Sequence, residues 1–232
     1  MQSIFNNRTE INSRHELKYY INAADYAQLR ARLRTVAKLD ENALEDGTYK
    51  IHSLYFDNYN DKIVVEKLSG LSRREKFRLR YYNEDTSFIR LEKKSKINMI
   101  CYKETAAITT EQCEALLKGK YDCLKMPNVP LLMELYTKIH YQSLRPRSIV
   151  NYYREAYVYN AGNVRITFDD QIRTSNSVAG FLNPKLTTIP AANAIILEIK
   201  YDGFLPNVIR DSLQIGWRNQ TEFSKYVVAR LV

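Results

Sequence analysis

The sequence predicts an α+β protein in which about eight antiparallel strands close, or nearly close, into a barrel surrounded by helices. Two observations lead to this prediction. Several segments alternate a long cationic side chain with an apolar one, which is the two-residue period of a strand with one polar face. The 18 tyrosines also favour pleated positions, and only 7 glycines and 6 prolines are available for flexible linkers. An open antiparallel sheet with packed helices is the second architecture that fits.

The N-terminal half is predicted to form two helices and five strands. The first helix, Ala23 to Lys38, places Tyr26, Leu29 and Leu33 on one stripe and begins after a capping Asn22. A second, short helix follows a turn-rich segment, and the last three strands form a meander. The short helix is Asp61 to Leu68. The five strands are Ser13 to Ile21, Tyr49 to Phe56, Glu75 to Tyr82, Phe88 to Lys96 and Met99 to Ile108.

The C-terminal half mixes helices with strands and completes the count of eight. The predicted helices are Thr110 to Lys118, Pro130 to Ser143, Pro206 to Ile215 and Glu222 to Leu231, and the strands are Arg147 to Tyr159, Val164 to Thr174 and Ala194 to Tyr201. This order matches neither the regular alternation of α/β proteins nor an all-β protein. We expect a single domain over residues 1–232, with a core from about 13 to 230.

Charge and cysteine content limit the partners and the compartment. The net charge of +9 predicts an anionic partner, which could be a phosphate compound, nucleic acid or a membrane surface, although a soluble protein that is merely basic also fits. The three cysteines show no metal-ligand spacing, so free thiols in a reducing cytosol are expected. No signal peptide and no apolar run of about 18 residues are seen, which predicts a cytoplasmic protein.

Nine cations lie on, or in phase with, the polar faces of the predicted strands. They are Lys18, Arg78, Arg80, Lys94, Lys103, Arg154, Arg165, Lys200 and Lys225. Each one alone is explained as a solvated surface charge, but repeated in-phase placement suggests a shared lumen. They outnumber the carboxylates in phase with them, mainly Glu16, Glu92, Glu198 and Asp169. Because unpaired buried charge is prohibitive, the excess indicates a ligand with several negative charges, such as linear polyphosphate.

Glu198 has a distinct chemical setting, between apolar Leu197 and Ile199 and in phase with Lys200. It could hold a divalent metal together with substrate phosphate oxygens, or it could form a structural ion pair with Lys200. The sequence leaves both interpretations of Glu198 open, as a metal ligand and as a partner in an ion pair. It contains no P-loop, no dinucleotide-binding glycine motif, no zinc-binding histidine pair and no nucleophile elbow. The aromatic residues Phe77 and Tyr81 alternate to the apolar face, which argues against base stacking and therefore against nucleic acid.

An ordered series of short motifs resembles the VTC domain, the polyphosphate polymerase module of the fungal vacuolar transporter chaperone complex, which also occurs in bacterial proteins. The motifs are Arg14-His15-Glu16-Leu17-Lys18-Tyr19, Phe77-Arg78-Leu79-Arg80-Tyr81, Leu91-Glu92-Lys93-Lys94, Tyr102-Lys103, Tyr152-Tyr153-Arg154, Val164-Arg165-Ile166, Leu197-Glu198-Ile199-Lys200 and Phe223-Ser224-Lys225-Tyr226. The resemblance covers nearly the whole chain. It places the protein in the triphosphate tunnel metalloenzyme, or CYTH-like, superfamily.

The resemblance implies an eight-stranded antiparallel tunnel with basic walls. It implies a phosphotransferase that moves the γ-phosphoryl group of ATP onto inorganic polyphosphate with Mn²⁺ or Mg²⁺. Eight family cations would be phosphate ligands; these are Lys18, Arg78, Arg80, Lys94, Lys103, Arg154, Arg165 and Lys225. Lys200 would add to the charge neutralisation from beside the metal ligand Glu198. Glu198 would hold the metal, with Glu16 and Glu92 as further candidates. The cytoplasm is the implied location, and a membrane-protein partner on another chain is left open.

Two positions depart from related patterns. Arg14 replaces the first glutamate of the E-x-E-x-K motif that triphosphatases and cyclases of the superfamily often carry. Thr221 and Glu222 stand where the polymerase tail carries a further lysine. Three functions therefore stay open at this point: a polyphosphate polymerase, which we favour, an inorganic triphosphatase or tripolyphosphatase with water as acceptor, and a noncatalytic polyphosphate-binding module.

Overall fold

The computed structural model describes residues 9–12, 15–97, 100–216 and 218–232. These residues form eleven strands and six α-helices. The strands are β1 (Thr9–Asn12), β2 (His15–Ile21), β3 (Lys38–Leu39), β4 (Thr48–Asp57), β5 (Arg73–Tyr82), β6 (Asp85–Ile97), β7 (Ile100–Ile108), β8 (Arg145–Tyr159), β9 (Val164–Ser175), β10 (Ile189–Pro190) and β11 (Ile195–Tyr201). The helices are α1 (Ala23–Val36), α2 (Lys62–Leu68), α3 (Thr110–Leu117), α4 (Pro130–Tyr141), α5 (Asn207–Ser212) and α6 (Lys225–Arg230).

The predicted elements are present, with shifted ends, and three short strands were not predicted. Asn22 caps α1 as expected, because its side chain accepts from the Asp25 amide and the Asp25 carboxylate accepts from the Asn22 amide. The helix ends at Val36, and Lys38 instead pairs with β8 as part of β3. The predicted strand start at Ser13, the motif residue Arg14 and the strand start at Met99 lie outside the described residues.

All strands belong to one antiparallel sheet in the order β1-β7-β6-β5-β4-β8-β9-β11-β2, with β10 added to β9 and β3 to β8. The α+β class is confirmed. The closed eight-stranded barrel is corrected, because the hydrogen-bonded path is open between β1 and β2 and the sheet contains eleven strands. These two end strands are nevertheless consecutive in the chain. Three Cα–Cα steps join Asn12 to His15, so the ends of the path lie within about 11 Å of each other.

The near-closure has a simple structural basis. The N-terminal segment pairs with β7 through Thr9–Asn12 and with β11 through 15–21, so it contacts both ends of the curled sheet in turn. The long, twisted strands supply the curvature, since twist accumulates from strand to strand. The sheet therefore forms a tunnel-like concave surface, with a gap in the hydrogen bonds between strands at β1 and β2.

Three apolar clusters hold helices on this sheet. On the outer face, α3 and α4 cover β5 to β7 around Leu79 and Leu135, and α1 and α5 cover β8, β9 and β11 around Leu33 and Phe168. The third cluster lies on the concave face, where residues of α6 pack against Tyr152. This face, which we call the site face, carries the alternating cations. No helix among the described segments is both long and apolar enough to cross a membrane.

Candidate functional site

The cross-strand register places eight of the nine predicted cations on the site face. In neighbouring strands, Lys94 lies opposite both Lys103 and Lys76, and Glu198 lies opposite Lys18. Alternation in each strand then fixes the orientation of the other cations. The ninth, Lys225, reaches the same face from the first turn of α6. The structure therefore gathers the nine cations from seven strands and one helix.

Glu92 is the centre of one ion-pair network. Its carboxylate is 1% exposed and accepts from the Arg78 Nε at 2.7 Å. The Lys103 Nζ lies 3.2 Å from the other oxygen, and an Arg80 Nη lies 3.9 Å away. Burial raises the pKa of Glu92, but Arg78, Arg80 and Lys103 outweigh it and hold that pKa well below the usual value. Glu92 therefore stays ionised and offsets part of the positive charge.

Asp169 and Glu198 form a second network. The Arg154 guanidinium donates to both oxygens of Asp169, at 2.6 and 2.8 Å, and the Lys225 Nζ lies 2.5 Å from the same carboxylate. Arg154 also lies 3.8 Å from Glu198, which accepts from Lys200 at 2.9 Å. Burial raises the pKa of Asp169, but Arg154 and Lys225 lower it to about 2. This network positions α6 against the sheet.

Glu16 joins the second network through shared lysines. The Lys18 Nζ lies 2.6 Å from Glu16 and 3.5 Å from Glu198. The Lys200 Nζ lies 4.0 Å from Glu16. Burial raises the pKa of Glu198, but Lys200, Lys18 and Arg154 hold it well below the usual value, so both carboxylates are charged at neutral pH.

Arg165 has different partners from the other cations. It donates to Asp40, in the loop after β3, and to the Tyr49 hydroxyl at 3.0 Å. Its side chain is 31% exposed, whereas Asp40 is nearly buried. Arg165 therefore occupies one end of the site face, with its charge already compensated.

Lys76 and Lys94 differ from the other cations because neither makes an ion pair among residues 15–97, 100–216 and 218–232. Lys200, together with burial, holds the pKa of Lys94 well below its usual value. Burial lowers the pKa of Lys76 to about 8, with Arg78 and Lys18 adding to the effect. Lys200 lies on β11, which four strands separate from β6 in the sheet, so its effect on Lys94 is consistent with a site face that curls back on itself.

Two tyrosine hydroxyls lie among these cations. Arg78 donates to the Tyr55 hydroxyl at 3.2 Å, and Arg80 donates to the Tyr152 hydroxyl at 3.1 Å. Burial raises the pKa of Tyr55, but Arg78, Lys76 and Arg80 outweigh it and lower that pKa to about 7. The cations of the site face therefore stabilise negative charge on the Tyr55 oxygen.

The sequence prediction included most of the residues at this site but omitted three. The alternation in the sequence places Lys76 on the same face as Arg78 and Arg80, but Lys76 was not counted among the nine candidate cations. The tyrosines Tyr55 and Tyr152 gave no comparable signal, because aromatic residues at strand positions are usually apolar core.

The glutamates Glu16 and Glu198 fit a divalent cation. They share two lysines, and one or two carboxylates plus substrate phosphate oxygens form the donor set that Mg²⁺ typically uses. In the part of the chain that the structure describes, no three His, Cys, Asp or Glu side chains form a metal-binding cluster. A metal here would therefore need phosphate oxygens to complete its coordination. Glu92 is a weaker ligand candidate, because its side chain is only 1% exposed, against 9% for Glu198 and 35% for Glu16.

Comparisons with known proteins agree with this geometry. A family model described as the VTC domain matches residues 13–232, and no curated protein matches the chain. Among solved structures, HpAC1 from Hippeastrum, described as having a dominant triphosphatase activity, shares 12% identity at a TM-score of 0.54 and covers 94% of each chain. The protein bh2851 from Bacillus halodurans, a proposed adenylate cyclase, shares 11% identity at a TM-score of 0.48, over 83% of this chain and 81% of its own. At such identities the HpAC1 likeness shows the fold alone. The chain belongs to the VTC domain family and is a phosphoryl-handling domain with the triphosphate tunnel fold.

Proposed function

We propose that this domain transfers the γ-phosphoryl group of ATP to the end of an inorganic polyphosphate chain bound on the site face. The observation that carries the proposal is the charge imbalance at Lys76 and Lys94. Every carboxylate of the site is already surrounded by cations, yet these two ammonium groups have no carboxylate partner among the described residues. A bound chain of phosphates supplies the missing negative charge along the whole face.

Phosphoryl transfer depends mainly on positioning and charge neutralisation, so this site needs no nucleophilic side chain. Ion pairs and tyrosines hold the guanidinium groups of Arg78, Arg80 and Arg154 on the site face, where their remaining N–H groups would donate to phosphate oxygens. Lys76 and Lys94 stabilise the charge that develops between donor and acceptor. The terminal oxygen of polyphosphate is itself the nucleophile. Glu16 and Glu198 would hold a Mn²⁺ or Mg²⁺ ion, which supplies Lewis-acid neutralisation of the triphosphate.

The test is incubation with ATP and Mn²⁺, with products sized on a gel. The parent protein is expected to make a ladder of long polyphosphate. Glu198→Gln should reduce turnover by about 100-fold or more, because the carboxylate that binds the metal is lost. Glu114→Gln, which changes an exposed glutamate on α3, is the matched control and should keep full activity. If Glu198→Gln polymerises phosphate at the parent rate, the metal role of Glu198 is wrong.

A second function, hydrolysis of triphosphate, is favoured by the position of Glu222. This residue and Thr221 occupy the stretch where the polymerase tail has a lysine, and the Glu222 carboxylate pairs with Lys67 of α2. One tail cation for the growing polymer is therefore missing, and a neighbouring lysine is neutralised. The same gel separates the two functions, since a triphosphatase releases orthophosphate without a ladder.

A further inference from the structure

A cavity of about 310 Å³ lies on the opposite face of the sheet from the site face. Its floor is formed by alternate residues of β4, β8 and β9, including His52, Asn151 and Arg173. The segment 181–188 covers it. The volume is at the lower end of the range for small-molecule sites. Strand alternation directs these three side chains away from the ion-pair networks, so the cavity opens on the other face from the proposed phosphoryl-transfer site. Tyr152 also lines the cavity, but its hydroxyl lies on the site face, where it accepts from Arg80.

Two buried polar atoms in this cavity lack hydrogen-bond partners within the described residues. They are the His52 Nε2 and the Asn151 Oδ1, on side chains of residues that are 4% and 8% exposed. An unpaired buried polar atom costs about 1–3 kcal/mol, so native proteins usually satisfy such groups. Burial, together with Lys50, lowers the pKa of His52 to about 4, with Asn151 acting in the opposite direction. The imidazole is therefore neutral at pH 7 and suits a neutral hydrogen-bonding ligand group.

The charge in the cavity has one sign. Lys50 and Arg173 both line it, and no Asp or Glu is among the lining residues. Within the described segments, neither cation makes an ion pair, although Arg173 donates to the Thr188 hydroxyl at 2.8 Å. Tyr153 adds an aromatic ring that is 39% exposed, with the Lys50 Nζ 6.0 Å from its centre. The cavity thus combines positive charge, an aromatic face and two neutral hydrogen-bonding atoms.

The segment that covers the cavity is fixed at both ends. Phe181 is 1% exposed and packs edge-on against Tyr81, whose hydroxyl donates to the Phe181 carbonyl at 2.9 Å. Tyr81 in turn stacks on His52, with ring centres 4.4 Å apart. The other end is held by the bonds from Arg173 to Thr188. Anchored at both ends, the cover gives the cavity a defined shape for a ligand.

We propose that this outer cavity binds a mononucleotide, with its phosphate beside Lys50 and Arg173 and its base at Asn151, His52 and the ring of Tyr153. Asparagine amides pair well with the edge of adenine, and bases stack on aromatic rings at about 1–3 kcal/mol per base. The site requires no chemistry on the other face, so it stands or falls independently of the proposed function.

The test uses the three histidines as reporters in NMR of histidine-labelled protein. His52 lies in the cavity, whereas His15 on β2 and His140 on α4 do not line it. Titration with AMP is expected to shift the His52 resonances in a saturable way and to leave His140 in place. Inorganic phosphate and adenosine should each bind more weakly, by about tenfold or more, because each lacks half of the contacts.

Lys50→Gln should weaken AMP binding by about tenfold, whereas Lys185→Gln, an exposed lysine of the covering segment that does not line the cavity, should not. A titration that leaves the His52 resonances in place would overturn the proposal, because AMP would then not occupy the cavity. Equal binding of inorganic phosphate would overturn the role of the base, and equal binding of adenosine would overturn the role of the cations.

Discussion

At the scale of single residues, the charges of the site are arranged for a ligand at some expense in stability. Most cations are compensated by Glu92, Asp169, Glu198 or Glu16. Lys76 is the clearest exception, because it makes no ion pair with any residue that the structure describes. Its ammonium nitrogen lies 6.0 Å from the centre of the Tyr55 ring. A desolvated cation beside Arg78 raises the free energy of the folded, ligand-free protein.

Replacing Lys76 by methionine should therefore stabilise the ligand-free protein. The folded-state pKa of about 8 lies below the ordinary 10.5, so the unfolded chain binds this proton more tightly than the folded one. The free-energy cost of burying the protonated Lys76 is complete below pH 8 and disappears as the pH rises toward 10.5. We expect Lys76→Met to raise the free energy of unfolding by roughly 1–3 kcal/mol at pH 7, and the gain to shrink above pH 8. Urea unfolding across this pH range measures it.

The same variant should bind tripolyphosphate more weakly than the parent, because it lacks the Lys76 ammonium group that would pair with the phosphate oxygens. Lys185→Met, at an exposed position, is the matched control and should change neither quantity. The electrostatic account would be contradicted if Lys76→Met were less stable than the parent at pH 7, or if its gain in free energy of unfolding over the parent were the same at pH 7 and pH 10.

Residue identities at the site followed from the sequence wherever the two-residue period applied. Arg78, Arg80 and Lys94 face one way because alternation in a strand leaves no other choice. The partners did not follow, because they depend on contacts between distant segments. Arg165 pairs with Asp40, a loop residue 125 positions away, and no local pattern indicates such a contact.

At the scale of elements, α6 is positioned by a buried carboxylate at the end of β4. Asp57 is 1% exposed, and its Oδ2 accepts from the Tyr226 hydroxyl at 2.8 Å. The same side chain accepts from the Ile63 amide in the first turn of α2. Asp57 therefore links β4, α2 and α6, and α6 carries Lys225 to the site face.

Tyr226→Phe should loosen this link. Removing a hydrogen bond to a buried carboxylate is expected to lower the free energy of unfolding by about 1.5–3 kcal/mol, because Asp57 loses one of its few donors. The effect is measured by urea unfolding, with Tyr141→Phe as control, since Tyr141 is 85% exposed. A loss no larger than that of the control would show that the hydroxyl does not hold α6.

Long periodic elements were predictable, whereas short strands were not. The helix cap at Asn22 and the alternation in β5 are local signals, and both appear as predicted. The two-residue strands β3 and β10 contain no period and exist only through their partners β8 and β9. Their pairing is decided by the fold rather than by their own sequence.

At the scale of the whole molecule, the α+β class and the curled basic sheet were predictable, but the manner of closure was not. Strand count and alternation indicated a barrel. The N-terminal segment instead pairs first with β7 and then with β11, so two β-strands occupy the place of one and the hydrogen-bonded path stays open. Nothing in the alternating pattern of 9–21 states which edge each half will join.

The concentration of cations on one curled face makes the stability of the whole molecule depend on anions. We expect tripolyphosphate to bind the folded sheet, which gathers the cations, and not the unfolded chain, which disperses them. At 100 times the dissociation constant it should stabilise the fold by about 2.7 kcal/mol, which raises the Tm by about 5–11 °C for a chain of 232 residues. Thermal melts measure this shift, with orthophosphate at equal ionic strength as control. The shift should shrink as salt is added, because screening weakens contacts between charges. Equal shifts from both anions would mean that the face senses ionic strength and does not bind a phosphate chain.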